Sequence, residues 1–475
     1  MPIKAFSIHG HFYQPPREDP LSGRIPTESS AAPYENWNER ILHECYQPNA
    51  RLNNFAGMSF NVGPTLLSWL ETRDQETYQQ IISQNQVNLK RYGIGNALAQ
   101  TYHHTILPLA SSSEKNLQVY WGIADFVHRF GHAPRGMWLP ETAVDYETLT
   151  IISNQGIQFT ILAPWQADRD HLDTTQPYNV SLPGDKSIAV FFYQGMLSSK
   201  ISFEPLSTID AKFFAQYELA AHYHTDSSKG DQDQLVLIAS DGELYGHHQP
   251  SREDFLAQLL NGAGEPAGLD KTYPALWLET NPPEETIRIR ERTSWSCHHG
   301  VDRWSKGCAC ISTDGQWKNH LRSALNRLAT ALDGLYFEAL YRHIPKPRVL
   351  RQRYIHVLLG EISLHRLIAE MESHPLPSER MKVIALLLES QKERQRMFTS
   401  CGWYFEDFDR IEPKNVIAYA AQAVRLAHLA TGNDLSSQAI SDLKKVISPH
   451  TGLSADEVFR EQISRPWDAV KHLPF

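Results

Sequence analysis

The chain has 475 residues, roughly three typical domain lengths, so a small disulfide-stapled module is excluded and more than one domain is expected. Apolar residues make 41% and charged residues 21%, a globular balance that excludes an intrinsically disordered protein. With 45 basic against 54 acidic side chains the net charge is -9, which gives no electrostatic reason to bind nucleic acid or an anionic membrane surface.

The N-terminus, MPIKAFSIHGHFYQPP, has one Lys and a brief apolar stretch but no hydrophobic signal core or small-residue cleavage site, so a cytoplasmic location is expected. No apolar run approaches the ~20 residues needed to span a bilayer. Short β-rich runs then alternate with helical stretches, the pattern of βα units around a parallel sheet. Expected strands are Ile3 to Ile8, Met58 to Val62, Val87 to Tyr92, Gly136 to Leu139, Gln158 to Leu162, Ile188 to Tyr193, Leu235 to Ala239 and Ala275 to Leu278. The run Leu235-Val236-Leu237-Ile238-Ala239 suits a strand covered on both faces. About seven or eight such units fit a closed α/β barrel over 1–318, with an open doubly wound sheet as the alternative, although no GxGxxG fingerprint or P-loop is present to anchor one. From 319 to 475 the spacing changes to long helices, at Leu321 to Tyr341, Val349 to Met371, Ser378 to Phe398 and Lys414 to Ala430, predicting a helical domain packed on the barrel.

In parallel barrels the active site forms at the carboxyl ends of the strands, so polar residues directly after an apolar strand carry weight. Four junctions qualify: Ser7 to Pro15 with His9 and His11; Gly95 to Pro108 with His103 and His104; Gly136-Met137-Trp138-Leu139-Pro140-Glu141; and Ser240-Asp241-Gly242-Glu243 through His247-His248. They offer two carboxylates from separate strands, several His and many aromatics, but no Ser-His-Asp order, reactive CxxC or HExxH helix. This chemistry points to acid/base work on a polyhydroxylated substrate. Glycosidic cleavage needs one carboxyl that stays protonated and one ionised carboxylate, and Glu141 and Asp241 can supply both. If configuration is retained, the two should lie roughly 5 to 5.5 Å apart. Trp138, Trp165, Trp277 and Trp295 can serve as sugar-stacking platforms or pack in the core.

On these residues the chain resembles glycoside hydrolase family 57, whose members act on α-glucans with retention through a distorted (β/α)7 barrel followed by a helical domain. The resemblance implies Glu141 as nucleophile, in a Trp-x-Pro-Glu setting formed by Trp138, Pro140 and Glu141. It implies Asp241 as general acid/base, in an Asp-x-Glu pattern followed by Gly246-His247. A subgroup with a helical domain of uncharacterised function shares Ile8 to Pro16, Arg292 to Cys297 and Thr399 to Phe405. Phe12 and Tyr13 separate His11 from Gln14-Pro15, so either His9 or His11 can face the sugar. The residues expected to line the substrate site are His9, His11, His104, Trp138, Trp165, His247 and Trp295. The expected substrate is an α-glucan or maltooligosaccharide, with no cofactor and no metal in the site. Hydrolysis, 4-α-glucan transfer and branching remain open, as does the oligomeric state.

Two other functions are compatible with the residues: a metal-dependent carbohydrate deacetylase or mannosidase-like hydrolase using His9, His11 and Asp241, and a non-catalytic glucan-binding protein. Of five cysteines, Cys297, Cys308 and Cys310 fall within fourteen residues beside His298 and His299, predicting a thiol cluster that either lines a loop or binds a metal. The aromatic connector Cys401 to Asp407 is expected to dock on another surface.

Overall fold

The computed structural model describes residues 2–225, 230–310, 312 and 315–467. The chain divides into two compact units, one built from Met1–Gln14, Thr27–Tyr102 and Ser111–His298, the other from Pro15–Pro26, His103–Ala110 and His299–Phe475. The expected boundary at 318/319 would cut the helix Gln316–Leu340.

Among the described residues the first unit carries ten strands: β1 (Lys4–Phe12), β2 (Ser59–Val62), β3 (Ala99–Gln100), β4 (Met137–Trp138), β5 (Phe159–Leu162), β6 (Tyr178–Leu182), β7 (Lys186–Phe192), β8 (Gln234–Asp241), β9 (Asp270–Lys271) and β10 (Glu285–Thr286). They form three sheets rather than one continuous sheet. β1 pairs in parallel with β2, β8 and β9; β3 pairs with β4; β7 pairs with β5 and, antiparallel, with β6, which also holds β10. Single bridges connect Phe60 to Ala97 and Gly136 to Phe159, and the Gln194 amide donates to the Leu237 carbonyl at 2.6 Å. Alternate residues meet in one core: Phe159 and Ile161 from β5, Ala189 and Phe191 from β7, and Leu235, Leu237 and Ala239 from β8, with Trp138. The two-residue period that buries Leu237 and Ala239 carries on to Asp241.

Two expected strands are helices. Val87 to Tyr92 ends the helix Gln75–Tyr92, capped by Asp74, whose side chain accepts from the Thr77 amide at 3.1 Å. Its buried face includes Gln84, Asn85 and Asn88, which bond to the Ala50 carbonyl, the Ala97 amide and the Ala56 carbonyl. An inward face made of amides conceals the helical period from a reading based on apolar spacing. Ala275 to Leu278 lies in the helix Pro274–Thr280, opened by a proline in the first turn, where the missing N–H costs nothing.

In the second unit the expected stretch Val349 to Met371 is three short helices, Pro347–Arg353, Ile355–Leu358 and Leu364–Met371, the last restarted by Ser363, whose hydroxyl accepts from the Arg366 amide at 3.2 Å. The helices Ser378–Arg396 and Ile411–Thr431 pack side by side. Trp403 in the aromatic connector is fully buried, docked on the helix Gln316–Leu340 with the Arg322 guanidinium 3.8 Å from its ring centroid. Among the described residues, no helix is long and apolar enough to cross a membrane.

Candidate active site

Three parallel neighbours present polar side chains at one level. In register, His9 faces Ser59 on β2 and Ala239 on β8, while His11 faces Asn61 and Asp241. The strand ends thus bring His11, Asn61 and Asp241 together. His9 Nδ1 lies 2.9 Å from Ser59 Oγ and its Nε2 lies 3.2 Å from Asn61 Oδ1. The Asn61 amide also contacts His11 Nδ1, with Nδ2 at 2.9 Å, and Nδ2 donates to Gln100 Oε1 at 2.6 Å. Burial lowers His9 to about 3, with the neighbouring His11 adding to it, and lowers His11 to about 4, so both rings are neutral at physiological pH.

Both rings stack on Trp138, with centroids 4.6 Å from His9 and 5.2 Å from His11. Trp138 is fully buried, so it backs the histidines instead of offering a face to sugar; Trp277, 3% exposed, is likewise spent in the core. Of the two roles open to these indoles, stacking platform or core packing, Trp138 and Trp277 take the second.

Directly after β4, Glu141 sits in the left-handed region at φ 57 and ψ 21, followed by Thr142 at φ 47. Such a conformation is costly for a residue with a Cβ and persists only where surroundings enforce it. The Thr142 hydroxyl donates to Gln166 Oε1 at 2.8 Å, Gln166 Nε2 donates to the Thr142 carbonyl at 2.8 Å, and the Trp295 amide donates to the Glu141 carbonyl at 3.0 Å. The carboxylate itself is aimed by two donors to Oε2, Trp295 Nε1 at 3.0 Å and Ser296 Oγ at 2.7 Å.

Asp241 closes β8. Water reaches its side chain, yet it sits deep enough among protein atoms for lost hydration to be the largest cause raising it to about 8, followed by the negative charges of Glu243 and Glu141. Contact with water moderates the first cause and leaves the two carboxylates as the specific influence of the site. Glu243 is buried and raised to about 7 by lost hydration, against the pull of its hydrogen bonds from the Tyr46 hydroxyl at 2.8 Å and the Tyr13 amide at 3.1 Å. Glu243 therefore ties the end of β1 to the end of β8.

Trp165 is 38% exposed, donates from Nε1 to the Ser294 carbonyl at 3.0 Å, and meets Tyr193 edge-on at 6.0 Å. Tyr193 lies 6.4 Å from Trp295, and burial together with the Asp241 charge raises its hydroxyl pKa. His247 turns onto Glu44 Oε2 and packs edge-on against Trp37 at 5.8 Å. His104 belongs to the second unit, where its ring lies 2.6 Å from Ser400 Oγ. The sequence reading did not single out Ser59, Asn61, Ser296 or Tyr193. Asn61 had a usable signal, a polar residue at the end of a short apolar strand; Ser296 and Tyr193 become visible only in three dimensions.

The family model for glycosyl hydrolase family 57 matches residues 7–293, and a domain of unknown function (DUF3536) matches 314–467. No curated protein matches the chain. Among solved structures, an exo-type maltose-forming amylase from Pyrococcus sp. ST04 superposes with a TM-score of 0.76 at 15% identity, covering 93% of this chain and 83% of its own. A branching enzyme from Thermococcus kodakaraensis gives 0.60 at 14%, covering 97% and 94%. A 4-alpha-glucanotransferase from Thermococcus litoralis gives 0.57 at 15%, covering 90% and 60%. At these identities the likeness speaks for the fold, while the family match takes in both strand ends that carry Glu141 and Asp241: the chain belongs to glycosyl hydrolase family 57.

Proposed function

We propose that this protein is a retaining α-glucan-active hydrolase or glucanotransferase, with Glu141 as nucleophile and Asp241 as general acid/base. The observation that carries the reading is the division of labour between the two carboxyls. Glu141 receives two hydrogen bonds that favour its ionised form, and its charge helps keep Asp241 protonated. A double displacement needs this pairing, and a separation of roughly 5 to 5.5 Å with it. Asp241 would give its proton to the glycosidic oxygen while Glu141 attacks the anomeric carbon. Once Glu141 is esterified its charge is gone, Asp241 becomes more acidic, and it can take a proton from water or from a sugar hydroxyl.

The strand sequence β1-β2-β3-β4-β5-β7-β8, linked by ladders, single bridges and one backbone bond, supports a distorted (β/α)7 barrel as the frame. Similar structures whose titles name amylase, branching and glucanotransferase activities support an α-glucan as substrate. Of the side chains expected at the sugar, the partial exposure of Trp165 and Trp295 supports a stacking role for them, and His11 rather than His9 stands level with Asp241.

Incubation with maltooligosaccharides, amylose and glycogen, with product anomers and α-1,6 content followed by NMR, tests the reading. The first-formed reducing ends or new linkages should be α. Glu141→Gln should lower turnover of every glucan by at least about 10³-fold while binding persists. First-formed β-anomers, or an active Glu141→Gln protein, would refute it.

A further inference from the structure

Cys297, His299, Cys308 and Cys310 lie within one fourteen-residue stretch, in the pattern Cys-x-His, eight residues, Cys-x-Cys. The turn between them doubles the chain back on itself. The Asp302 carbonyl accepts from the amides of Ser305, Lys306 and Gly307 at 3.0, 3.0 and 2.9 Å, which returns Cys308 and Cys310 toward His299. One ligand atom from each of the four side chains comes within 4.8 Å of the other three, and Cys310 Sγ lies 3.3 Å from His299 Nδ1. All five cysteines are thiols, none joined in a disulfide.

We propose that this stretch is a structural zinc site with a Cys3His ligand set, separate from the carboxylate pair. Tetrahedral zinc, with bonds of about 2.3 Å to sulfur and about 2.0 to 2.1 Å to nitrogen, spaces its ligand atoms roughly 3.3 to 3.8 Å apart. Four donors already within 4.8 Å reach that geometry by small side-chain movements. Three soft thiolates and one imidazole favour zinc over calcium or magnesium, and four protein ligands leave no open position for catalysis. On binding, three thiol protons pass to solvent, the imidazole binds as the neutral ring, and the site keeps one net negative charge. Cys297 directly follows Ser296, whose hydroxyl aims Glu141, so the metal would pin the backbone that holds that donor; this last consequence rests on the function proposed above.

The untagged full-length chain, purified in reducing buffer without chelator, should contain about one zinc per molecule by mass spectrometry of the metal. Cys308→Ser and Cys310→Ser should lose it, His299→Cys should keep it as a four-thiolate set, and Cys401→Ser should not affect it. Because the serine variants can fail to fold, the metal-stripped, reduced wild-type chain is also titrated with Co2+. A thiolate-to-cobalt charge-transfer band with the intense visible bands of tetrahedral cobalt is expected. Absence of that band overturns the proposal, and so does zinc retained by folded Cys308→Ser and Cys310→Ser proteins. Neither readout uses glucan turnover, so both stand or fall apart from the proposed activity.

Discussion

As the general acid proposed above, Asp241 would have to carry a proton at neutral pH, and the site pushes it that way through lost hydration and two nearby carboxylates. With a pKa near 8, the protonated form dominates below that pH, so kcat/KM on natural glucan should fall as pH rises through about 8. Glu243→Gln keeps an oxygen acceptor for Tyr46 but removes a charge, and should move that alkaline limb down by about one pH unit. A limb that stays in place would show that Glu243 does not act on Asp241. Asp241→Asn should cost about 10²- to 10⁴-fold on natural glucan and much less on aryl glycosides whose leaving group needs no proton. The same scale governs Glu141. Ser296→Ala deletes a donor to Glu141, a hydrogen bond to a charged group worth ~1.5–3 kcal/mol, so kcat should drop about 10- to 100-fold with KM little changed. Equal kcat in the variant would show that Ser296 does not aim Glu141.

At the scale of elements, the junction after β8 is set by how closely chain segments approach. A Cβ on Gly242 would meet the Phe12 ring at 2.3 Å, and one on Gly246, at φ 126, would meet the Glu44 carbonyl oxygen at 2.1 Å. The first obstacle is a side chain and the second is backbone. Gly246→Ala should therefore give insoluble protein or a large drop in Tm, whereas Gly242→Ala should cost about 1–3 kcal/mol and recover in part when Phe12 is replaced by Leu. Thermal melts of the two singles and the Gly242→Ala/Phe12→Leu double distinguish these outcomes. Legibility of the fold from sequence followed the same physics. β8 was readable because a strand covered on both faces is a continuous apolar run, and the polar residue that ends it, Asp241, stands where such strands place chemistry. The helix Gln75–Tyr92 was misread because amides, not aliphatics, occupy much of its inner face. The Trp-Leu-Pro-Glu run drew attention to Glu141, yet could not show that its indole faces inward beneath two histidines. Ser296 lies in the run Arg292 to Cys297 that carried the subgroup resemblance, but its relation to Glu141 spans 155 positions and exists only in the folded chain.

For the molecule as a whole, the titratable groups shifted from their ordinary values set opposing dependences of stability on pH. His9 and His11 fall from an ordinary 6.5 to about 3 and about 4, so on acidification the unfolded chain takes up protons before the folded one. Their contribution is intact above 6.5 and is lost as pH falls toward 3; for His9 it is on the order of 5 kcal/mol. In the second unit His103 acts in the same direction, held low by burial and by the charges of Arg396 and Lys392. Asp241 and Glu243 act oppositely. Raised to about 8 and about 7, they hold protons that the unfolded chain releases from about pH 4 upward, so their ionisation removes stability as pH rises to 8. Between about pH 4 and 6.5 the two sets offset each other, and from 6.5 to 8 only the carboxyls contribute a slope. Asp241→Asn deletes an ionisation that opposes folding while leaving the histidines alone. Its Tm should match wild type at pH 4, exceed it by pH 6 and lead most at pH 8, measured by calorimetry in matched buffers. A lead that is constant with pH, or largest at pH 4, would mean that Asp241 titrates as an ordinary surface carboxylate, and the acid role assigned to it would fall with that result.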